Sequence, residues 1–125
     1  MPERNVYQIT PFMHVNDVEG AVRFFTDLGF DCPFRVPGYA YVSFEGAGIR
    51  IQHHDDPKEL GVAHRGFAYY VDVRDLDPIL DALKPKLAAM PAGDVHGPID
   101  QSYGQRELMI RAPDGNLLVF GQSID

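Results

Sequence analysis

Hydrophobic positions along this chain change period in a pattern that occurs twice. In the first half, Tyr7 to Val15 reads as a strand, with Pro11 hinting at a sheet edge or a bulge. Asp17 follows as a helix cap, and Val18, Ala21, Val22, Phe25 and Leu28 then recur at helical spacing, with Phe24 widening the stripe. Gly29 stands where a left-handed residue would end that helix. In the second half, Gly66 to Val73 reads as a strand and Asp75 as the cap. Pro78 falls in the first helical turn, Leu76, Ile79, Leu80 and Leu83 share one face, and Pro85 is expected to end or kink the helix early. Val15-Asn16-Asp17-Val18-Glu19 and Val73-Arg74-Asp75-Leu76-Asp77 place Asp17 and Asp75 58 residues apart, nearly half of the chain. One strand-into-helix unit used twice accounts for this, and a duplicated module builds a cleft between its copies.

Strand-like material follows each helix. Tyr39 to Phe44 and Ile49 to His54 flank the Gly-containing hairpin signal Glu45-Gly46-Ala47-Gly48. Glu107 to Arg111 and Leu117 to Phe120 flank Pro113-Asp114-Gly115-Asn116, which has the residues of a turn rather than of a catalytic aspartate. The chain is therefore expected to be one α+β domain of two modules, about 1–58 and 62–125, joined through Asp55 to Gly61.

Composition narrows the class. A chain of 125 residues with 45% hydrophobic residues, 12 Gly and 10 Pro can bury a real core and suits a turn-rich fold. No apolar run reaches membrane-spanning length and the start lacks signal-peptide character, so a cytoplasmic protein without membrane partners is expected. The single Cys32 precludes an internal disulfide and, with no obvious local base, reads as packing rather than as a nucleophile. A formal net charge of −7 argues against nucleic acid and favours a cationic or neutral partner. There is no Ser-His-Asp order, phosphate loop or Cys-x-x-Cys, so hydrolysis, nucleotide binding and dithiol chemistry have no support.

Three segments carry a family resemblance: Val15-Asn16-Asp17 with Ala21 to Phe30, Ser102-Tyr103-Gly104-Gln105-Arg106-Glu107, and Ala112-Pro113-Asp114-Gly115-Asn116-Leu117. In this order they resemble the vicinal oxygen chelate superfamily of glyoxalases, extradiol dioxygenases and bleomycin-resistance proteins. Phe25 stands for the usual Tyr and Ala112 for the usual first Asp. The resemblance implies paired βαβββ modules, the glyoxalase/bleomycin resistance fold. It also implies that metal-binding members would place their ligands at Thr10, Ala68 and Val119, none a competent ligand of Zn²⁺, Mn²⁺ or Fe²⁺. That pattern is similar to the bleomycin-resistance branch, small acidic homodimers that sequester a cationic antibiotic between subunits without modifying it.

The leading expectation is accordingly a homodimer that needs no metal or cofactor and binds a cationic, aromatic-bearing small molecule, a bleomycin-type antibiotic being the concrete case. Phe12, Tyr41, Tyr70 and Tyr103 are expected to converge on a concave face, with Phe34 as a further ring. Tyr70 shares its strand face with Asp72, which puts a ring beside a carboxylate; Asp55 and Asp56 would add attraction. His54 and Arg106 complete the candidate ligand-binding set, Arg106 with a structural role as its alternative. The absence of Trp leaves stacking to smaller rings. A second expectation is a glyoxalase-like lyase or isomerase holding a divalent ion through His14, His54 or His64; a third is a binder of an unrelated metabolite. His53 and His54 cannot enter one cavity together from a regular strand, because neighbours on a strand face opposite ways.

Overall fold

The computed structural model describes residue 5 and residues 7–55 and 67–124. Asp56, His64, Gly66 and most of the expected linker lie outside the described residues.

Each half builds a strand, a helix and three further strands. The first half comprises β1 (Phe12–Val15), α1 (Val18–Asp27), β2 (Asp31–Val36), β3 (Tyr39–Phe44) and β4 (Ala47–His53). The second comprises β5 (Ala68–Asp72), α2 (Asp77–Ala88), β6 (Val95–Asp100), β7 (Gln105–Arg111) and β8 (Leu117–Ser123). The sheets have the same order, β1-β4-β3-β2 and β5-β8-β7-β6. In both, the first strand pairs parallel with the last and the other pairs are antiparallel. This α+β arrangement of two βαβββ modules is the one the sequence resemblance implies.

Local chemistry explains the ends of α1. Asp17 accepts a hydrogen bond from the Gly20 N–H, and Val18, Ala21, Val22 and Phe25 bury one face. Gly29 takes a positive φ of 95°, and the N–H groups of Gly29 and Phe30 donate to Thr26 O and Phe25 O, a glycine-dependent stop. At α2 the expected cap is displaced. The geometric cap is Leu76, whose N–H donates to Gln122 Oε1 of β8 at 2.7 Å, while Asp75 accepts from Asp77 N–H. Nor does Pro85 end this helix, which runs on to Ala88. The carbonyl that loses its partner belongs to solvent-exposed Asp81, where water can serve it, and Leu87 and Met90 still pack on the core.

The first strand is shorter than its apolar pattern suggests. Tyr7 to Pro11 lie outside it, and pairing with β4 begins where Arg50 N–H donates to Pro11 O. Alternation then buries Met13 and Val15 with Ala40, Val42, Ile49 and Ile51 beneath α1. Leu108, Ile110, Leu118 and Phe120 do the same in the second half, and Phe44 touches Phe120 across the modules at 6.1 Å between ring centroids. Cys32 is half-buried against this core, in the packing role expected of it.

The Pro113–Gly115 turn clasps the halves together. Asp114, at φ 59°, accepts from Asn16 N–H at 3.0 Å. Asn116, only 2% exposed, accepts from Phe67 N–H and donates to Pro113 O. Among the described residues no helix is long and apolar enough to cross a membrane.

Candidate functional site

Because one face of each sheet is spent on the core, alternation delivers the remaining side chains to the other face. On the first sheet Tyr39 and Tyr41 alternate with buried Ala40 and Val42, and register places Tyr41 beside Phe34 and Arg50. Arg50 donates to Tyr39 Oη at 2.5 Å and holds its guanidinium 5.8 Å from the Tyr41 ring centre, a cation–π distance. The Tyr41 ring occupies the space over Gly48, where a Cβ would overlap it, and its hydroxyl accepts from Gln8 Nε2 at 3.0 Å. Phe12 and Phe34 are 47% and 52% exposed, so apolar ring surface faces water. His14 stacks beside Phe12, and His54 meets His14 edge-on with centroids 6.3 Å apart. His53 turns instead toward Asp55, 3.5 Å away, so the adjacent histidines separate as strand geometry requires.

The second sheet presents a different chemistry. On β5, Tyr70 and Asp72 face away from the core, and the Tyr70 ring covers Gly121 as Tyr41 covers Gly48. The Tyr70 hydroxyl accepts from Gln105 Nε2 at 2.8 Å. On β7, the parity that buries Leu108 and Ile110 against the core sends Gln105, Glu107 and Met109 to the Tyr70 side. Glu107 is only 4% exposed, and its Oε1 accepts from Tyr103 Oη at 2.8 Å and from Gln101 Nε2 at 3.2 Å. Burial pushes the Tyr70 hydroxyl pKa up, and the nearby Glu107 and Asp72 carboxylates add to the rise. The Tyr103 pKa rises first because its hydroxyl is hydrogen-bonded to Glu107.

Arg106 departs from the expected set. It shares the parity of Leu108 and Ile110, so it faces away from Tyr70, and it holds Asp100 through two hydrogen bonds of 2.7 and 3.1 Å. This bidentate pair lowers the Asp100 carboxyl pKa and raises that of Arg106.

A cleft of about 950 Å³ opens where the two modules meet. Residues 7–9, Pro11 and Phe12, the β3–β4 hairpin and β5 line it, including Gly48, Tyr70 and Asp72. Tyr69 pins its floor by donating to Phe12 O at 2.5 Å, and burial raises that hydroxyl pKa to about 12. Of the sequence-predicted residues, Tyr70 and Asp72 line this cleft; Phe34, Tyr41 and His54 group on the first sheet, and Tyr103 joins Tyr70 through Glu107 on the second. The rings come from both sheets, and the cleft brings Phe12 of the first beside Tyr70 of the second. Tyr39, Arg50 and Glu107 were missing from the set. Glu107 was legible in principle: a strand that buries Leu108 and Ile110 must turn Glu107 and Arg106 to opposite sides.

The metal positions implied by the resemblance do not fit a divalent ion. Thr10 spends its Oγ1 accepting from Gln8 Nε2, and neither Ala68 nor Val119 offers a donor atom. Among the described residues no three His, Cys, Asp or Glu side chains gather as a metal group.

Comparison with known proteins agrees with this architecture. The family model for the Glyoxalase/Bleomycin resistance protein/Dioxygenase superfamily matches residues 8–120. Among solved structures, a bleomycin resistance determinant encoded on the transposon Tn5 is 23% identical, with a TM-score of 0.75 over 94% of this chain and 98% of that one. A bleomycin-binding protein in complex with bleomycin is also 23% identical, with a TM-score of 0.74 over 94% and 99% of the two chains. The bleomycin-binding protein of bleomycin-producing Streptomyces verticillus, in complex with copper(II)-bleomycin, is 20% identical, with a TM-score of 0.73 over 98% and 100%. No curated relative matches the sequence. On the family match over nearly its whole length and on its two βαβββ modules, the chain belongs to the glyoxalase/bleomycin resistance protein/dioxygenase superfamily.

Proposed function

We propose that this protein binds and sequesters, without chemical change, a cationic small molecule with aromatic groups, a bleomycin-type antibiotic being the concrete candidate. The observation that carries the reading is the pairing of open ring surface with carboxylates. Phe12, Phe34 and Tyr41 offer rings on one sheet, and Tyr70 and Tyr103 stand with Glu107 and Asp72 on the other. Rings stack on flat heteroaromatic groups, and carboxylates beside them select a positive ligand. Two similar folds hold bleomycin, and the net charge of −7 has the complementary sign.

The active form is a cytoplasmic homodimer. A two-fold pair can set the first sheet of one copy against the second sheet of its partner and enclose two equivalent clefts. Calorimetric titration with metal-free bleomycin, at low and moderate salt, tests the reading. Saturable binding near one ligand per subunit, weakened by salt, is expected; no binding at either salt, checked by competition at a second temperature, rejects this drug as the ligand. A second reading, a metal-dependent lyase, draws on the His14–His54 pair. Stoichiometric metal in the purified protein, lost with activity in His14→Ala and His54→Ala, would establish it instead. Saturable binding of an unrelated metabolite, with none of bleomycin, would establish the third expectation.

A further inference from the structure

We infer that the cleft between the two modules holds a flat organic cation within one chain, as a whole small molecule or as the charged, ring-bearing end of a larger one, and that Glu45 selects its charge together with Asp72. This rests on the proposed binding function and names where in the fold, and by which carboxylates, the positive group is taken.

The cleft joins a suitable size to walls of one kind. Its volume of about 950 Å³ lies within the range of about 300–1,000 Å³ typical of small-molecule pockets. Rings reach it from both modules, Phe12 and Phe44 from the first and Tyr69 and Tyr70 from the second. Phe12 and Tyr70 remain 47% and 41% exposed, so ring surface is open to a flat ligand. Glu45 and Asp72 are the acidic residues of the lining, and no described Lys, Arg or His lines it. Both carboxylates are exposed. The ion pairs among the described residues join Glu19 to Arg35, Asp55 to His53, Asp100 to Arg106 and Asp94 to Arg111, so neither Glu45 nor Asp72 meets a described counter-charge. Charge of one sign over apolar walls concentrates its field in the cleft and draws in the opposite charge. A second cavity, of about 550 Å³ beside the start of α1, mixes Asp17 and Glu19 with Arg35 and His53 and has no such preference.

Glu45 keeps its place against local preference. With Gly46 it forms the two-residue turn between β3 and β4 at a φ of 49°, a left-handed position where Asn, Asp or Gly is the ordinary choice and Glu is strained. Its carboxylate makes no hydrogen bond to a described residue that would account for the choice. What Glu adds to this turn over Asn is a negative charge at the rim of the cleft.

Proflavinium, a flat cation, and anthracenecarboxylate, a flat anion of similar size, are titrated against the protein and followed by fluorescence anisotropy. Saturable binding of proflavinium near one per chain, weakened by salt, with none of anthracenecarboxylate, is expected. Glu45→Asn should bind proflavinium about 3- to 5-fold more weakly at low salt while melting no lower than wild type, because Asn suits the left-handed turn. With Asp72→Asn added, the loss should reach about 10-fold. Ala47→Trp, which fills the cleft without changing charge, should weaken proflavinium at low and high salt alike. Full affinity in the double variant or in Ala47→Trp overturns the inference. So does a wild-type protein that binds no proflavinium and whose dimer Ala47→Trp dissociates, since the cleft then belongs to a second copy of the chain. If metal-free bleomycin binds wild type and the double variant equally, the inference fails and the proposed function stands. If proflavinium behaves as expected and bleomycin does not bind, the cleft stands and the drug is rejected.

Discussion

Gly121→Ala should move one ring of the binding surface without changing charge and almost without changing stability. Gly121 is buried in β8 between Asp72 of β5 and Glu107 of β7, and its φ is not positive, so alanine fits the backbone. A Cβ there comes within 2.5 Å of Tyr70 Cε1 and closer still to Cζ and Oη, which no real contact tolerates. Those atoms are the far end of a ring that is 41% exposed, so the ring swings outward and the strand stays. The cost is the 2.8 Å hydrogen bond from Gln105, about 0.5–1.5 kcal/mol for a typical pair. Replacing glycine by alanine returns about 0.4–1 kcal/mol by restricting the unfolded chain. The balance is within about 1 kcal/mol, or about 4 °C in melting temperature for a domain of this size. Loss of one stacked ring, by contrast, should cost the ligand about 1.4 kcal/mol, a tenfold weaker Kd. Thermal melting, near-ultraviolet circular dichroism and bleomycin titration read the three effects on one preparation. A melting temperature lowered by more than about 10 °C would show that the strand, not the ring, gives way. Full affinity with the tyrosine signal visibly altered would remove Tyr70 from the ligand surface.

Three further outcomes follow from the same geometry. Asn116→Ala removes an acceptor for Phe67 N–H and a donor to Pro113 O at a site only 2% exposed, and should destabilise by about 2–4 kcal/mol, seen as a melting point lower by roughly 8–15 °C; a loss below about 1 kcal/mol would mean that the turn does not clasp the modules. Tyr69→Phe deletes the bond to Phe12 O and should cost about 1 kcal/mol at neutral pH. Because the folded Tyr69 pKa is raised from 10.0 to about 12, the wild-type advantage is full below pH 10 and vanishes as pH rises toward 12; denaturant melts of both proteins at pH 8 and pH 11.5 would expose an advantage that persists, contrary to this. Asp72→Asn should weaken bleomycin binding by about 5-fold at most at low salt and flatten its salt dependence, and an unchanged salt slope in calorimetry would show that the exposed carboxylate plays no part.

Much of the fold is written locally. The capping aspartate at Asp17, the apolar stripe of α1 and the stop at Gly29 depend on contacts within a few residues, so they can be read without knowing what α1 packs on. The two-residue turn at Glu45 and Gly46, both at positive φ, is equally local. The duplicated Asp17 and Asp75 segments and the later hairpin signals specify a strand, a helix and a hairpin in each half, and the family resemblance implies the remaining strand of each βαβββ module. Strands β2 and β6 were not singled out in the sequence, and each contains a register shift that breaks clean alternation.

The site was decided by contacts far apart in the chain. Where β1 begins depends on where β4 offers partners, and the first capping contact of α2 comes from Gln122, at the other end of the second module. Types of residue could be named from the sequence, but which of Arg106 and Glu107 meets Tyr70 is set by the face that Leu108 and Ile110 bury. The physical reason is the period of a strand: a single step along it reverses the direction of a side chain, and only the packed core determines which direction is inward.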